Sequence, residues 1–232
     1  MCRTGPALWW VRVFLCPALE IMNRISFFID GFNVYHALDS WDRYKKYKPY
    51  QKYKWLDYSA LARCFIRGRE TITDIYYFTA YAEWSKAKMD RHELLISALT
   101  MKGVKIVLGK FKLRDKECQR CHKIYQTYEE KQTDVNISIK LFQCAHNDTF
   151  DTGILISGDS DIVPAIRAVK ETFPKKRIGL VVPVGRRADE MKSVCDFHTK
   201  IKETHLISSQ FPDRIVVDSE KNIFLDRPST WA

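Results

Sequence analysis

Ile154-Leu155-Ile156-Ser157-Gly158-Asp159-Ser160-Asp161-Ile162-Val163-Pro164 reads as a strand that stops at a Ser-Gly turn and restarts as a helix. Pro164 falls in the first helical turn, where a missing N–H costs little. The pattern puts Asp159 and Asp161 at the carboxyl end of a parallel strand, the edge where open α/β sheets bind ligands. Two carboxylates in one turn repel each other, and a divalent cation is the usual counter-charge. The plainer reading is local: Asp159 caps the helix and Asp161 favours its dipole. The remainder of the chain decides between the two.

A length of 232 residues fits one α/β domain with decoration. Hydrophobic residues make up 46%, and the mean hydropathy of −0.31 excludes a membrane-spanning chain. The net charge of +10 favours polyanionic partners, nucleic acid first, although a basic surface that only confers solubility gives the same count. Seven scattered cysteines do not form a disulfide framework and point to a reducing, cytoplasmic setting. Residues 1–21 loosely mimic a signal peptide, but Arg12 interrupts the apolar run. The expectation is an N-terminal extension before a true start at Met22, a domain over 22–210 and a tail over 211–232.

Ile25-Ser26-Phe27-Phe28-Ile29 is the first core strand and ends at Asp30-Gly31-Phe32-Asn33, which supplies a third carboxylate and an amide at a strand end. Asp-Gly followed by Asn is also ordinary turn chemistry. Residues 41–55 interleave Lys45, Lys46 and Lys48 with Trp and Tyr, a pattern suited to single-stranded nucleic acid. Strands over 72–79 and 104–108 flank a helix over 88–102, with Leu94, Leu95, Ala98, Leu99 and Met101 expected to be buried. Alternating strands and helices indicate a parallel, doubly wound sheet.

Cys118-Gln119-Arg120-Cys121-His122 has spacing able to hold zinc, yet a closed site needs four ligands. His92, His122, Cys144 or His146 would have to complete it. A reduced pair in a surface loop explains the residues equally well. The segment Tyr128-Glu129-Glu130-Lys131-Gln132-Thr133-Asp134-Val135-Asn136 opens another helix, with Thr133 the expected N-cap and Asp134 in its first turn. Val135, Ile139 and Phe142 share one face, Ile137, Leu141 and Cys144 broaden the apolar stripe, and Glu129 and Glu130 are weaker candidate carboxylates. Lys131 is a candidate phosphate contact. A strand over 177–184 leads to Gly185-Arg186-Arg187 on the same sheet edge as the acids. A short last strand is expected over 206–208.

Three motifs occur in order: Phe28-Ile29-Asp30-Gly31-Phe32-Asn33, Glu130-Lys131-Gln132-Thr133-Asp134-Val135, and Ser157-Gly158-Asp159-Ser160-Asp161-Ile162-Val163-Pro164. Together they resemble the NYN domain family, the bacterial branch of the PIN-like nucleases, over residues 23–208. The ending Arg227-Pro228-Ser229-Thr230-Trp231 is similar to that of some bacterial members. The resemblance implies a PIN-like, Rossmann-like three-layer α/β/α sandwich with a mostly parallel central sheet. It also implies metal-dependent RNA cleavage in an acidic pocket holding Mg²⁺ or Mn²⁺. Asp30, Asp134, Asp159 and Asp161 are then the catalytic metal ligands, with Asn33, Ser157 and Gly158 at the substrate. The segment around Cys118 and Cys121, residues 112–127, is an insertion found in some members, with a structural zinc as an option.

The leading expectation is therefore a metal-dependent ribonuclease acting on single-stranded RNA. A non-catalytic module that binds RNA or a nucleotide is the alternative. An oxidoreductase is the third reading, since some NYN-like chains carry an oxygenase label. Against it, no G-x-G-x-x-G follows the first strand.

Overall fold

β1 (Asn23–Asp30) is apolar on both faces, as a central strand covered on both sides must be. Ile25, Phe27 and Ile29 enter one hydrophobic cluster, while Phe28 enters a second on the opposite side. The computed structural model describes residues 22–40 and 50–231. The N-terminal extension and Lys45, Lys46 and Lys48 lie outside the described residues.

The chain continues through α1 (Gly31–Leu38), α2 (Tyr58–Arg63), β2 (Glu70–Thr79), α3 (Lys86–Met101), β3 (Lys105–Leu108), β4 (Lys110–Glu117) and β5 (Ile124–Lys131). It then forms α4 (Thr133–His146), β6 (Thr152–Ile156), α5 (Val163–Thr172), β7 (Arg177–Val182), α6 (Asp189–Val194) and β8 (Phe197–Lys200). α7 (Glu203–Ser208), β9 (Arg214–Asp218) and β10 (Ile223–Asp226) complete it. The main sheet has the order β3-β2-β1-β6-β7-β8, with every pair parallel. Chain direction across the sheet therefore reverses between β1 and β6. β4 and β5 form a separate antiparallel hairpin, as do β9 and β10. Among the described residues, no helix is long and apolar enough to cross a membrane.

One cluster joins β1 to residues of α1, α2 and α3, and the other joins the sheet to α4, α5 and α6. This is the expected three-layer α/β/α sandwich. At the amino end of the sheet, the Arg24 guanidinium holds Asp151 through Nε (3.1 Å) and Nη2 (2.8 Å), pinning β1 beside β6.

Several local expectations change. Thr133 does not cap α4; Gln132 takes that position with φ of 78°. The buried face of α4 is Thr133, Ile137, Leu141, Cys144 and Ala145, and Val135, Ile139 and Phe142 are exposed. α4 carries two apolar stripes, and only the one meeting the sheet is covered. On α3, Leu95, Ala98 and Leu99 are buried but Met101 is exposed. Residues 206–208 belong to helix α7, and the last sheet strand is β8.

The tail also packs. Phe211 N–H donates to the Trp55 carbonyl (3.1 Å), and Trp55 Nε1–H donates to the Pro212 carbonyl (2.9 Å). Trp231 closes over the other side, its ring centroid 6.3 Å from that of Trp55. Trp231→Ala should therefore destabilise the protein by roughly 3 kcal/mol, the low end for a large aromatic truncated in a core. Urea unfolding followed by circular dichroism measures it. An unchanged midpoint would show the C-terminal turn to be an appendage.

Candidate active site

The reversal between β1 and β6 opens a crevice at their carboxyl ends, and the sequence puts an acid at each. Asp30 ends β1 and caps α1. Its Oδ1 accepts the Asn33 N–H (2.9 Å) and its Oδ2 accepts the Ser157 hydroxyl (2.8 Å). Ser157 Oγ in turn accepts the Asp159 N–H (3.0 Å), and Asp159 Oδ1 accepts the Asp161 N–H (3.1 Å). Asn33 Oδ1 accepts the Gly158 N–H (3.0 Å), tying the start of α1 to the turn after β6. The Ser-Gly turn thus works as a lock. Ser157 is fully buried, and its hydroxyl links the carboxylate of Asp30 to the backbone of Asp159. Gly158 is also a lock, since a Cβ there would stand 3.3 Å from Asn33 Oδ1.

Asp134 arrives from the hairpin side. β5 runs into Gln132, whose left-handed backbone turns the chain sharply into α4. Glu130 accepts from the Thr133 N–H (3.2 Å) and from the Thr133 hydroxyl. Gly109, between β3 and β4, passes so close that a Cβ would stand 2.8 Å from the Lys131 carbonyl. The hairpin's roots therefore fix where Asp134 starts its helix.

The acids sense one another. Burial pushes the Asp30 carboxyl up to about 6, against the pull of the Asn33 N–H and Ser157 hydroxyl, and the charges of Asp159 and Glu130 add to the rise. Asp134 is also pushed up to about 6, by burial first and then by Asp159, Asp30, Glu130 and Asp161. The charges that act most on either group are all negative. The structure thus brings the four expected carboxylates into one electrostatic neighbourhood and adds Glu130. Among the described residues, no group of three or more His, Cys, Asp or Glu side chains is set to hold a metal ion as it stands.

The basic candidates separate. Lys131 pairs with Glu129 (3.1 Å) on the outer face of the hairpin. Arg186 and Arg187 line a cleft of about 350 Å³ together with Lys200 and Lys202. Arg186 Cβ would be 3.4 Å from a Cβ at Gly158, which sets this cleft beside the acidic turn. Lys200 and Lys202 escaped the sequence reading because β8 itself was not foreseen.

Cys118 and Cys121 stand at the hairpin tip. N–H groups of Arg120 and Cys121 hold the Cys118 thiol below its usual range. His122 pairs with Glu117, Cys144 meets the Tyr76 hydroxyl, His146 lies by Phe173 and His92 bonds Thr79. None joins the two thiols, so among the described residues Cys118 and Cys121 have no third His, Cys, Asp or Glu beside them for the optional zinc.

An aromatic cleft of about 270 Å³ adjoins the acids through Gly31 and Phe32. Its outer wall is Phe111 and Tyr128 of the hairpin with Trp84. Sequence reading missed it because its rings, Phe32, Tyr35, Tyr77, Trp84, Phe111, Tyr128 and Trp231, come from separate stretches of the chain.

The NYN domain family model matches residues 24–202. The chain is 25% identical to 6-hydroxy-3-succinoylpyridine 3-monooxygenase HspA of Pseudomonas putida, over 90% of this chain and 75% of that one. In three dimensions it is similar to a protein of unknown function, VPA0982, from Vibrio parahaemolyticus. That likeness has a TM-score of 0.51 at 16% identity and covers 79% of this chain and 96% of the other.

The raised carboxyls set a pH dependence. Asp30 and Asp134 hold protons more tightly folded than unfolded, where carboxyls of this type titrate near 3.8. Their stabilising contribution is complete below that value and is lost as pH rises through about 6. In chelator, the melting temperature should fall across this window, on top of the protein's other titrations. Asp134→Asn should flatten the fall and melt roughly 2–4 °C higher than the parent at pH 7. Parallel slopes for both proteins would show that Asp134 is not part of a repelling cluster.

Proposed function

This chain belongs to the NYN domain family, and from that premise we propose that it is a nuclease that hydrolyses RNA phosphodiester bonds with a divalent metal ion. The observation that carries the reading is the gathering of Asp30, Asp134, Asp159 and Asp161 at the sheet's switch point, where the negative charges of the others push up the carboxyls of Asp30 and Asp134. The donor set is all hard oxygen, which fits Mg²⁺ or Mn²⁺. Mg²⁺ commonly takes only one or two protein carboxylates and keeps several waters. That open coordination is compatible with side chains that do not form a closed cage. Asp30, Asp134, Asp159 and Asp161 would hold the ion. When bound, such an ion would polarise a phosphoryl oxygen and lower the pKa of a water, the chemistry that phosphodiester hydrolysis needs.

The chain's own residues do the remainder. Asn33 uses its carbonyl oxygen on Gly158, which leaves its amide N–H₂ to offer a phosphate oxygen. Arg186 and Arg187, with Lys200 and Lys202, provide cations beside the acidic turn for the phosphates of a strand leaving the site. Lys45, Lys46 and Lys48 with their neighbouring rings belong to the proposal as contacts for single-stranded RNA, on their sequence pattern alone.

A second reading rests on one finding: the Pseudomonas putida relative carries a monooxygenase name. An oxygenase would consume NADH in the presence of a hydroxypyridine, whereas a nuclease would not. The deciding experiment incubates the purified chain with single-stranded RNA and Mn²⁺. Cleavage should disappear with chelator and fall by about 100-fold or more in Asp159→Asn, which keeps the side chain's shape but removes a charge. Wild-type cleavage by Asp159→Asn, or NADH consumption without RNA cleavage, would overturn the nuclease reading.

A further inference from the structure

Trp84 lies face to face with Tyr128, the ring centroids 3.9 Å apart and the planes 3° from parallel. Its edge meets Phe111 at 4.5 Å, and Phe111 meets Phe32 edge-on at 5.2 Å. These contacts join four stretches of chain into one aromatic wall: α1, the segment before α3, β4 and β5. Trp84 and Tyr128 nevertheless remain 37% and 41% exposed. Large rings left wet at the rim of a concave site mark a surface built to be covered.

The cleft behind this wall encloses about 270 Å³. That is close to the lower end of ligand sites, roughly 300 Å³, and suits one ring system. Lys88 and Arg91 of α3 line it, and no carboxylate does so among the described residues. The two imidazoles at its edge add no firm charge at neutral pH. Burial holds His36 below its usual range, with the Arg186 charge acting the same way, and burial pushes His92 down to about 4. The fixed charge of the cleft is therefore cationic. Phe32, which contributes to its wall, sits between Asp30 and Asn33 in sequence. The lining of the cleft thus begins one residue after Asp30.

We propose that this cleft is a subsite for a single planar heteroaromatic ring bearing an anionic group, the ring against Phe32, Phe111 and Trp84 and the anion toward Lys88 and Arg91. Such a ligand has two sources. One is a nucleotide of an RNA strand, which rests on the proposed nuclease reading. The other is a free heteroaromatic acid, which does not. Every base has a π-face, so stacking on these rings accepts either.

The test titrates the full chain in chelator, by calorimetry, with uridine monophosphate, pyridine-3-carboxylate and ribose 5-phosphate. At least one of the two ring compounds should bind, and ribose 5-phosphate should bind at least about tenfold more weakly, because one stacked ring is worth roughly that factor. Phe111→Leu keeps apolar bulk but removes the π-face and should weaken binding by about tenfold. Arg91→Gln should weaken it by about fivefold. Binding of the nucleotide alone assigns the ring to RNA, and binding of the pyridine acid alone assigns it to a free substrate; either upholds the subsite. If Phe111→Leu does not fold, Trp84→Leu takes its place. The proposal is overturned if neither ring compound binds at about 10 mM. It is equally overturned if ribose 5-phosphate binds as tightly, or if a folded Phe111→Leu protein keeps full affinity. RNA cleavage is scored separately. A protein that binds the pyridine acid but never cuts RNA loses the nuclease reading and keeps the subsite. One that cuts RNA yet binds neither ring compound keeps the nuclease reading and loses the subsite.

Discussion

A carboxylate buried at the end of a central strand is the constraint on which the site depends. Asp30 is only 4% exposed, and a charge so placed is costly unless donors face it. Two do: the Asn33 N–H, available because α1 starts immediately after β1, and the Ser157 hydroxyl, available because β6 ends level with β1. The register Ile29↔Ile156 is what brings these two ends together. The Arg24–Asp151 clamp holds the same strand pair at the other end of the sheet. Fold and site therefore share one interaction, since slippage of β1 against β6 would strip Asp30 of one donor.

What was legible in the sequence is what is local. β1 and β6 carry the apolar runs Phe27-Phe28-Ile29 and Ile154-Leu155-Ile156, acids follow each within three residues, and Pro164 marks the start of α5, so strand, turn and helix could be read without tertiary knowledge. The parallel, doubly wound sheet followed from the alternation of strands and helices, and the three-layer sandwich from the family resemblance of the three motifs. Failures came where two local patterns compete. On α4, Val135-Ile139-Phe142 and Ile137-Leu141-Cys144 are both spaced for a helix face, and only contact with β1 and β2 selects the second. The hairpin β4–β5 is polar and largely exposed, with no alternation between a buried and a wet face, so it read as an insertion around Cys118 and Cys121. Gln132 hid for a similar reason: a non-glycine residue in the left-handed region carries no sequence signal.

That hairpin matters more to the site than its cysteines suggest. Across the register, Phe111 pairs with Glu130 and Leu113 with Tyr128, so Phe111, Tyr128 and Glu130 share one face. Arg114, Glu129 and Lys131 occupy the other, where they pair among themselves. One face thus supplies aromatic rings to the cleft and a carboxylate to the acidic cluster, while its last residues aim α4 and Asp134. Two rings of the cleft and the placement of Asp134 thus depend on one two-stranded element, whose roots meet in the close pass of Gly109 and Lys131.

The distribution of charge follows the same division. The chain carries a surplus of ten positive charges, yet the site at the sheet's switch point is acidic. A polyanion approaching four or five carboxylates would be repelled at short range, whatever the net charge. Lys88 and Arg91 on one side, and Arg186, Arg187, Lys200 and Lys202 on the other, create attractive surfaces that flank the repulsive centre. A ligand with anionic groups spread along its length can engage both flanks, but its central phosphate meets the acids unless a cation intervenes. On the proposed reading, the metal ion is therefore needed for binding geometry as well as for chemistry. Bound there, it would reverse the sign of the potential between the two sets of cations.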